Sequence, residues 1–295
     1  MLTLEDLAAL VEQHTSALSA RVREFSIGGK PFAFNSRSHL MGVINLSPDS
    51  WYRESVCLTT EQAVRRGKTL HAQGADIVDI GAESTLAHAS RADATLQSSK
   101  LIPVIEQLRS AGVLVSVETY DVAVTHQCLK AGANVLNWTG TDEPERFFQL
   151  AAERKAAVII CYVHGRNVRE VGDFDFKADP VSQMEKYFET QIKTAAKIGL
   201  QDVIIDPGLG FYYRNLQDSA VRVQHQIKVF LNTFRLRALG FPVCHALPHA
   251  FEYFGEEVRC AEPFFAVLAA LGKTDLFRTH EVPRTKAVLD TLRVY

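Results

Sequence analysis

The chain has 295 residues, of which 47% are hydrophobic and 22% are charged, and its formal net charge is −2. This is ordinary globular composition, and without a basic excess nucleic acid or an anionic membrane surface is not expected as the main partner. No stretch approaches the roughly 20 apolar residues that span a bilayer, and no signal peptide is expected at the start. The five cysteines are odd in number and widely spaced, which favours a reducing, cytoplasmic compartment over a disulfide framework.

The chain begins with a segment of distinct character. Residues 1–24 place apolar residues at helical spacing, which predicts an amphipathic helical extension and a possible oligomer contact. Residues 25–34 turn at Gly28-Gly29 and predict a β-hairpin that could plug the bottom of a barrel. We therefore divide the chain into a helical extension, 1–24, and a main domain, 25–295.

From residue 40 onward, short apolar segments alternate with helical patterns. The candidate strands number about eight, as in a (β/α)8 barrel: 40–46, 76–81, 113–118, 134–137, 157–163, 202–206, 242–246 and 275–278. The helical patterns between them include 60–73, 96–111, 121–131, 180–198, 217–239 and 283–293. Near-continuous apolar strands alternating with helices favour a parallel sheet that is buried on both faces. We predict an α/β fold, a closed (β/α)8 TIM barrel, over an open doubly wound sheet; the glycine-rich nucleotide motifs of open sheets are missing from the sequence.

Polar residues lie where the predicted strands give way to loops. In a (β/α)8 barrel these carboxyl ends surround one mouth, which carries the active site. The residues in question are Asn45, Glu118, Asn137, Asp206, Arg278 and His280. The sequence therefore predicts one polar site built from side chains that are distant along the chain.

Five segments resemble signatures of the dihydropteroate synthase family. They are MGVINLSPDSW (41–51), GADIVDIGAEST (74–85), SVETYDVAVTHQCLKAGANVLN (116–137), DVIIDPGLGF (202–211) and LFRTHEV (276–282). They occur in the family's order and cover nearly everything from residue 40 to the end.

The resemblance implies a pterin-binding barrel enzyme that joins 6-hydroxymethyl-7,8-dihydropterin diphosphate to p-aminobenzoate in folate synthesis. Asp206 matches the carboxylate that accepts two neighbouring pterin N–H groups, and Asn137 matches the family's pterin-reading asparagine. Asn45 matches a residue that holds Mg²⁺ and the diphosphate, and an amide oxygen suits that cation. Arg278 and His280 match the pair that binds the diphosphate. These residues, Asn45, Asp206, Arg278 and His280, form the predicted catalytic set.

Further substrate-binding positions follow from the same motifs. We assign substrate contacts to Thr85, Glu118, Phe211 and His249 as well. The family often forms dimers through helices outside the barrel, so the resemblance also implies a homodimer.

Several departures from the family's pattern fall near the p-aminobenzoate end. The family has a Ser-Arg-Lys triplet after strand 7, whereas this chain has PVCHALPHAFEYFG (242–255), with His249 near the lysine position. An arginine is replaced by Leu86, an aspartate by Glu118, and another aspartate by Trp138. The pterin and diphosphate positions are thus retained, and the acceptor side is altered.

A possible zinc-ligand pattern occurs in the same segment. His245 and His249, with Cys244 adjacent, have metal-ligand spacing. Pro248 breaks the helix that such an i, i+4 pair would require, so the sequence argues against zinc held by these three residues.

Three functions remain open from the sequence. The first is a dihydropteroate synthase-like transferase with an altered p-aminobenzoate pocket. The second is a pterin enzyme that uses another acceptor, and the third is a non-catalytic paralogue that binds pterin. Loss of the Ser-Arg-Lys triplet is the feature that keeps the third alternative open.

Overall fold

Eight parallel strands succeed one another in chain order around a barrel in the computed structural model, which describes residues 1–50, 52–84, 91–174, 179–211 and 213–295. The strands are β3 (His39–Asn45), β4 (Ile77–Gly81), β5 (Leu114–Thr119), β6 (Val135–Trp138), β7 (Ala157–Cys161), β8 (Val203–Asp206), β9 (Cys244–Ala246) and β10 (Leu276–Thr279). The strands β3 to β8 form one continuous ladder, in which each strand from β3 to β7 pairs with the next. Strand β10 pairs with both β9 and β3. A single parallel bridge, Ile205 to Val243, joins β8 to the start of the β9 segment and forms the seam of the barrel. The predicted (β/α)8 barrel is confirmed.

Helices connect the strands on the outside of the barrel. They are α1 (Leu4–Gln13), α2 (Thr60–Ala72), α3 (Ala94–Ser110), α4 (Val122–Lys130), α5 (Pro144–Glu153), α6 (Pro180–Ile198), α7 (Ser219–Leu231), α8 (Thr233–Leu236), α9 (Phe251–Phe254), α10 (Ala261–Leu271) and α11 (Val282–Leu292). Aspartate side chains accept backbone N–H groups at the starts of four helices: Asp93, Asp121, Asp179 and Asp218. Such caps satisfy amides that have no partner within the helix, and they fix where each helix begins. The sequence patterns above did not include α5 or α10, and α10 carries a residue of the site. Among the described residues, no helix is long and apolar enough to cross a membrane.

Alternation along each strand separates an outer core from the barrel interior. In β6, Leu136 and Trp138 belong to the apolar cluster shared with the helices, whereas Val135 belongs to a second cluster inside the barrel. Successive side chains of a strand point to opposite faces, so Asn137 shares the interior face with Val135. Trp138 is fully buried against Phe148, with ring centroids 5.2 Å apart, and it fills the outer core. The same alternation places the polar residues at the strand ends inside the mouth.

The N-terminal hairpin closes the other end of the barrel. Strands β1 (Phe25–Ile27) and β2 (Lys30–Phe32) pair antiparallel, which confirms the predicted hairpin. Ile27 and Phe32 are buried in the interior cluster together with Leu114. Gly28 has φ +56°, and a Cβ there would lie 2.6 Å from Leu114. Only glycine adopts this turn at this distance without strain.

The helical extension is shorter than predicted. Helix α1 ends at Gln13, a 3₁₀ turn follows over Thr15–Ser19, and residues 20–24 are not helical. His14 leaves the helical conformation and packs edge-on against Phe234. No residue of α1 is fully buried, and Leu7 and Leu10 pack partly buried against the outer core.

Candidate active site

The carboxyl ends of the strands surround a cavity of about 210 Å³ at the mouth of the barrel. Eight of the predicted site residues line it: Asn45, Glu118, Asn137, Asp206, Phe211, His249, Arg278 and His280. The ninth, Thr85, lies outside the described residues. The structure thus brings together side chains that lie more than 200 positions apart in the sequence.

Arg278 connects two carboxylates from neighbouring strands. Its Nε donates to Asp79 Oδ2 at 2.8 Å, and its Nη2 donates to Glu118 Oε2 at 2.6 Å. Burial raises the pKa of Glu118 to about 7, although the positive charge of Arg278 opposes this shift. Asp79 is fully buried, and its Oδ1 has no hydrogen-bond partner among the described residues. A buried acceptor without a donor is costly, so this oxygen is suited to a donor that enters with a ligand.

Asn137 lies beside the same pair of acids. Its Nδ2 donates to Asp79 Oδ2 at 3.2 Å, and its Oδ1 accepts from the Cys161 thiol at 3.3 Å. These two contacts fix the orientation of the amide plane. The side chain can therefore present a defined pattern of donor and acceptor to a flat ring.

Asp206 is held at the end of β8 by its own turn. Its Oδ1 accepts from the backbone N–H of Gly208 at 2.7 Å, and the Cys244 thiol also donates to the carboxylate. Gly208 has φ +72°, and a Cβ there would lie 2.2 Å from the carbonyl oxygen of Tyr162, so glycine is required. Burial raises the pKa of Asp206 to about 6 despite the Gly208 hydrogen bond. The carboxylate is ionised at neutral pH and lines the cavity.

Asn45 ends β3 on the rim of the cavity. Its Nδ2 donates to Ser55 Oγ at 2.6 Å, and Ser55 in turn donates to the carbonyl oxygen of Tyr52 at 2.7 Å. Because Nδ2 is engaged in this chain of bonds, Oδ1 is the atom that could bind a cation. This is the donor type that Mg²⁺ prefers.

His249 and His280 form another part of the wall together with Glu262 from the first turn of α10. His280 Nδ1 lies 2.7 Å from Glu262 Oε1, and His249 Nδ1 lies 3.7 Å from the same oxygen. Burial would raise the pKa of Glu262, but interaction with His280, His249 and Thr279 outweighs burial and lowers it to about 2. Burial lowers the pKa of His249 to about 3, so its ring is neutral. The Tyr52 ring packs against both imidazoles, at 4.9 Å and 4.5 Å between ring centroids.

The cavity thus has two chemically different parts. We call Asp79, Glu118, Asn137 and Asp206 the strand-end side, and His249, Glu262 and His280 the loop–helix side. Two of these seven residues, Asp79 and Glu262, were not singled out from the sequence. Both had a signal, since each is the lone acid in an otherwise apolar run, IVDIG for one and AEPFFAVLAAL for the other.

Comparison with known proteins places the chain among pterin enzymes. A family model described as pterin binding enzyme matches residues 41–246. A dihydropteroate synthase of Bacillus subtilis is 30% identical over 222 residues, which are 72% of this chain and 72% of its own length. A probable bifunctional folylpolyglutamate synthase/dihydropteroate synthase of Haloferax volcanii is 31% identical over 274 residues, but this chain spans only 31% of its length. The solved structure of Xanthomonas albilineans dihydropteroate synthase with 4-aminobenzoic acid aligns with a TM-score of 0.76, at 27% identity, over 92% of this chain and 97% of that one.

Proposed function

Because the chain belongs to the pterin-binding enzymes and, within them, to the dihydropteroate synthase family, we propose that it condenses 6-hydroxymethyl-7,8-dihydropterin diphosphate with p-aminobenzoate in folate synthesis. The observation that carries this proposal is the strand-end side of the cavity, where buried acids and one oriented amide converge. A pterin presents a ring N–H beside an exocyclic amine, and acceptors short of donors suit such an edge.

In this proposal, the strand-end side reads the pterin ring. Asp206 accepts the paired N–H groups, and Asp79 Oδ1 gains the donor that it lacks in the free protein. Asn137 both donates and accepts at the mixed edge of the ring. Glu118, with a pKa of about 7, is able to donate or accept near neutral pH. Phe211, on the cavity wall, supplies apolar contact for the ring.

The reaction joins the acceptor amine to the methylene carbon of the pterin. The amine nitrogen forms the new C–N bond, the C–O bond to diphosphate breaks with its electron pair, and the nitrogen loses a proton. We propose that Arg278 and His280 stabilise the negative charge of the leaving diphosphate. We also propose that Asn45 holds Mg²⁺ through Oδ1; when bound, the cation would share in neutralising the diphosphate.

The acceptor pocket is the part most open to a different function. After β9, Leu247, Pro248, His249 and Ala250 line the cavity, and they bring no cationic side chain to it. We assign substrate contacts to His249 and Thr85 by resemblance, with His249 near the position of the family's lysine. This wall favours, as the second candidate, a pterin enzyme with another acceptor.

We further propose a homodimer in a reducing, cytoplasmic setting, with residues 1–24 as an appendage to the 25–295 domain. The five free cysteines are consistent with that compartment. Phe264 and Leu271 of α10 are exposed and apolar, which offers a contact surface on the barrel exterior. Sedimentation equilibrium of the full chain measures the oligomeric state directly.

A product assay tests the proposed reaction. Purified protein is incubated with the pterin diphosphate, Mg²⁺ and p-aminobenzoate, and both dihydropteroate and released diphosphate are measured. Both products together support the synthase. Diphosphate release without dihydropteroate supports another acceptor, and neither product with retained pterin binding supports the non-catalytic paralogue.

A further inference from the structure

The loop–helix side gathers three potential metal ligands at one point of the cavity wall. One ligand atom each from His249, Glu262 and His280 lies within 4.8 Å of the others. These residues come from the loop after β9, the first turn of α10 and the loop after β10. Two imidazoles and one carboxylate are a donor set that binds zinc and related divalent transition metals.

Hydrogen bonds orient the Glu262 carboxylate so that one oxygen is fixed and the other is directed to the histidines. Oε2 accepts from the Thr279 hydroxyl, from the His280 backbone N–H at 2.8 Å and from the Glu281 backbone N–H at 3.1 Å. Oε1 is the oxygen that approaches both imidazoles. A ligand that is held by such supporting hydrogen bonds loses little freedom when it binds a metal.

We propose that His249, Glu262 and His280 bind a divalent transition metal of the zinc type, with one coordination position open to the cavity. Metal–ligand bonds of about 2.0–2.2 Å place the ligand atoms of a tetrahedral site roughly 3.3–3.5 Å apart. The 3.7 Å between His249 Nδ1 and Glu262 Oε1 is close to this value. The 2.7 Å between His280 Nδ1 and Glu262 Oε1 is a hydrogen bond, so metal binding at Nδ1 breaks it and moves the two atoms apart.

The open position follows from where the ligands lie. Both histidines line the cavity, whereas Glu262 does not. The fourth position therefore faces the cavity, where it would take an oxygen of an anionic ligand such as diphosphate. This last step rests on the proposed function, but metal binding itself does not.

This site differs from the zinc pattern considered from the sequence. The buried ring of His245 lies with Nε2 2.8 Å from the Thr233 hydroxyl, and it packs against Phe230 of the outer core. The Cys244 thiol donates to Asp206. Only His249 of those three residues joins the cluster, and its partners come from two other segments.

Metal titration of the full-length protein tests the proposal without any pterin. We expect one equivalent of Zn²⁺ to bind in isothermal titration calorimetry, and Co²⁺ to give the visible absorption of a four-coordinate site. His249→Gln and Glu262→Gln should each weaken binding by about 100-fold or more, since changing even a residue that supports a ligand costs roughly 10–100-fold. The matched control is His126→Gln, because His126 is exposed on α4, away from the cluster.

The outcomes separate the metal site from the reaction. Absence of one-equivalent binding, or equal affinity in all variants, would overturn the site even if dihydropteroate is formed. If circular dichroism shows that one of the two variants does not fold, the metal affinity of the other variant tests the site. Inorganic diphosphate should alter the Co²⁺ spectrum of the wild-type protein; an unchanged spectrum would overturn the open position. Failure of the product assay alone would leave the metal-binding result standing.

Discussion

The strand-end side and the loop–helix side of the mouth both hold buried acids, yet the pKa values of these acids shift in opposite directions. On the strand-end side, burial raises the pKa of Asp206 to about 6 and that of Glu118 to about 7, and it outweighs the Gly208 hydrogen bond and the charge of Arg278. On the loop–helix side, the partners of Glu262 overcome burial and lower its pKa to about 2. The first side includes Asp79 Oδ1, which has no donor among the described residues and suits a ligand that brings an N–H group. The second is already hydrogen-bonded, so a ligand there must displace an existing contact.

Removal of Arg278, which pairs with two acids of the strand-end side, is expected to have the largest effect. Arg278→Met leaves Asp79 and Glu118 without their ion-pair partner, and loss of one partner of a buried pair costs about 3–5 kcal/mol. Urea unfolding at pH 8 measures the change. The loss should shrink in Arg278→Met/Asp79→Asn, which removes one of the stranded charges. A loss below about 1 kcal/mol at pH 8 would contradict the view that Arg278 balances these acids.

The next largest effect is expected on pterin affinity. Asp206→Ala removes two charge-assisted hydrogen bonds to the ring, each worth about 1.5–3 kcal/mol, so affinity should fall by roughly 100-fold or more. Fluorescence titration with 6-hydroxymethyl-7,8-dihydropterin measures it, with circular dichroism to check the fold. Asp202→Ala is the matched control, since Asp202 lies just before β8 at the opposite end of that strand. Equal affinity in both variants would remove Asp206 from the proposed site.

A smaller effect, a gain in stability, is expected from the substitution Asp206→Asn. The pKa of Asp206 is raised in the folded state from 3.8 to about 6, so the folded protein binds more protons than the unfolded chain in this range. Stability therefore falls as pH rises through about 4 to 6, and the penalty is fully present above about pH 6. Asp206→Asn should stabilise the protein by roughly 1–3 kcal/mol at pH 8 and by little at pH 4. Urea unfolding at both pH values checks this, and equal gains at the two would show that ionisation is not the cause.

The smallest expected effect is the pH dependence of pterin binding. Protonation of Asp206 below about pH 6 removes the acceptor that the ring requires. Affinity should therefore be about tenfold weaker at pH 5 than at pH 7, which is the effect of one proton taken up over one pH unit. The same fluorescence titration with the Asp206→Asn variant should show no such pH dependence of the affinity. If the mutant keeps it, another group governs binding.

The strand-end side could be predicted from sequence because strand geometry decides it. Asn45 and Asp206 end apolar strands, Asn137 lies one residue before the end of another, and a two-residue alternation directs each of them into the mouth. Asp79 follows the same rule two residues before the end of β4. In the sequence alone, however, a carboxylate inside an apolar run is interpreted as part of the core, because its partner Arg278 lies far away along the chain.

The loop–helix side could not be predicted in the same way. His249 was assigned by its place in a motif, whereas Glu262 lies on a helix that the sequence patterns did not include. Its role depends on how the start of α10 lies against the loop after β10, where Thr279 and the backbone of His280 contact it. A contact among three separate segments leaves no periodic pattern in the sequence.

The weak pairing between β8 and β9 predicts that the barrel opens locally at this seam before it opens elsewhere. Within the described chain the two strands share one bridge, and β9 pairs over three residues with β10. Amides along this seam should exchange with solvent sooner than those of the fully laddered β4 and β5. The Cys244 thiol is buried beside Asp206 at this seam. Its rate of alkylation under native conditions therefore reports local opening of the barrel at the residue whose thiol donates to the Asp206 carboxylate.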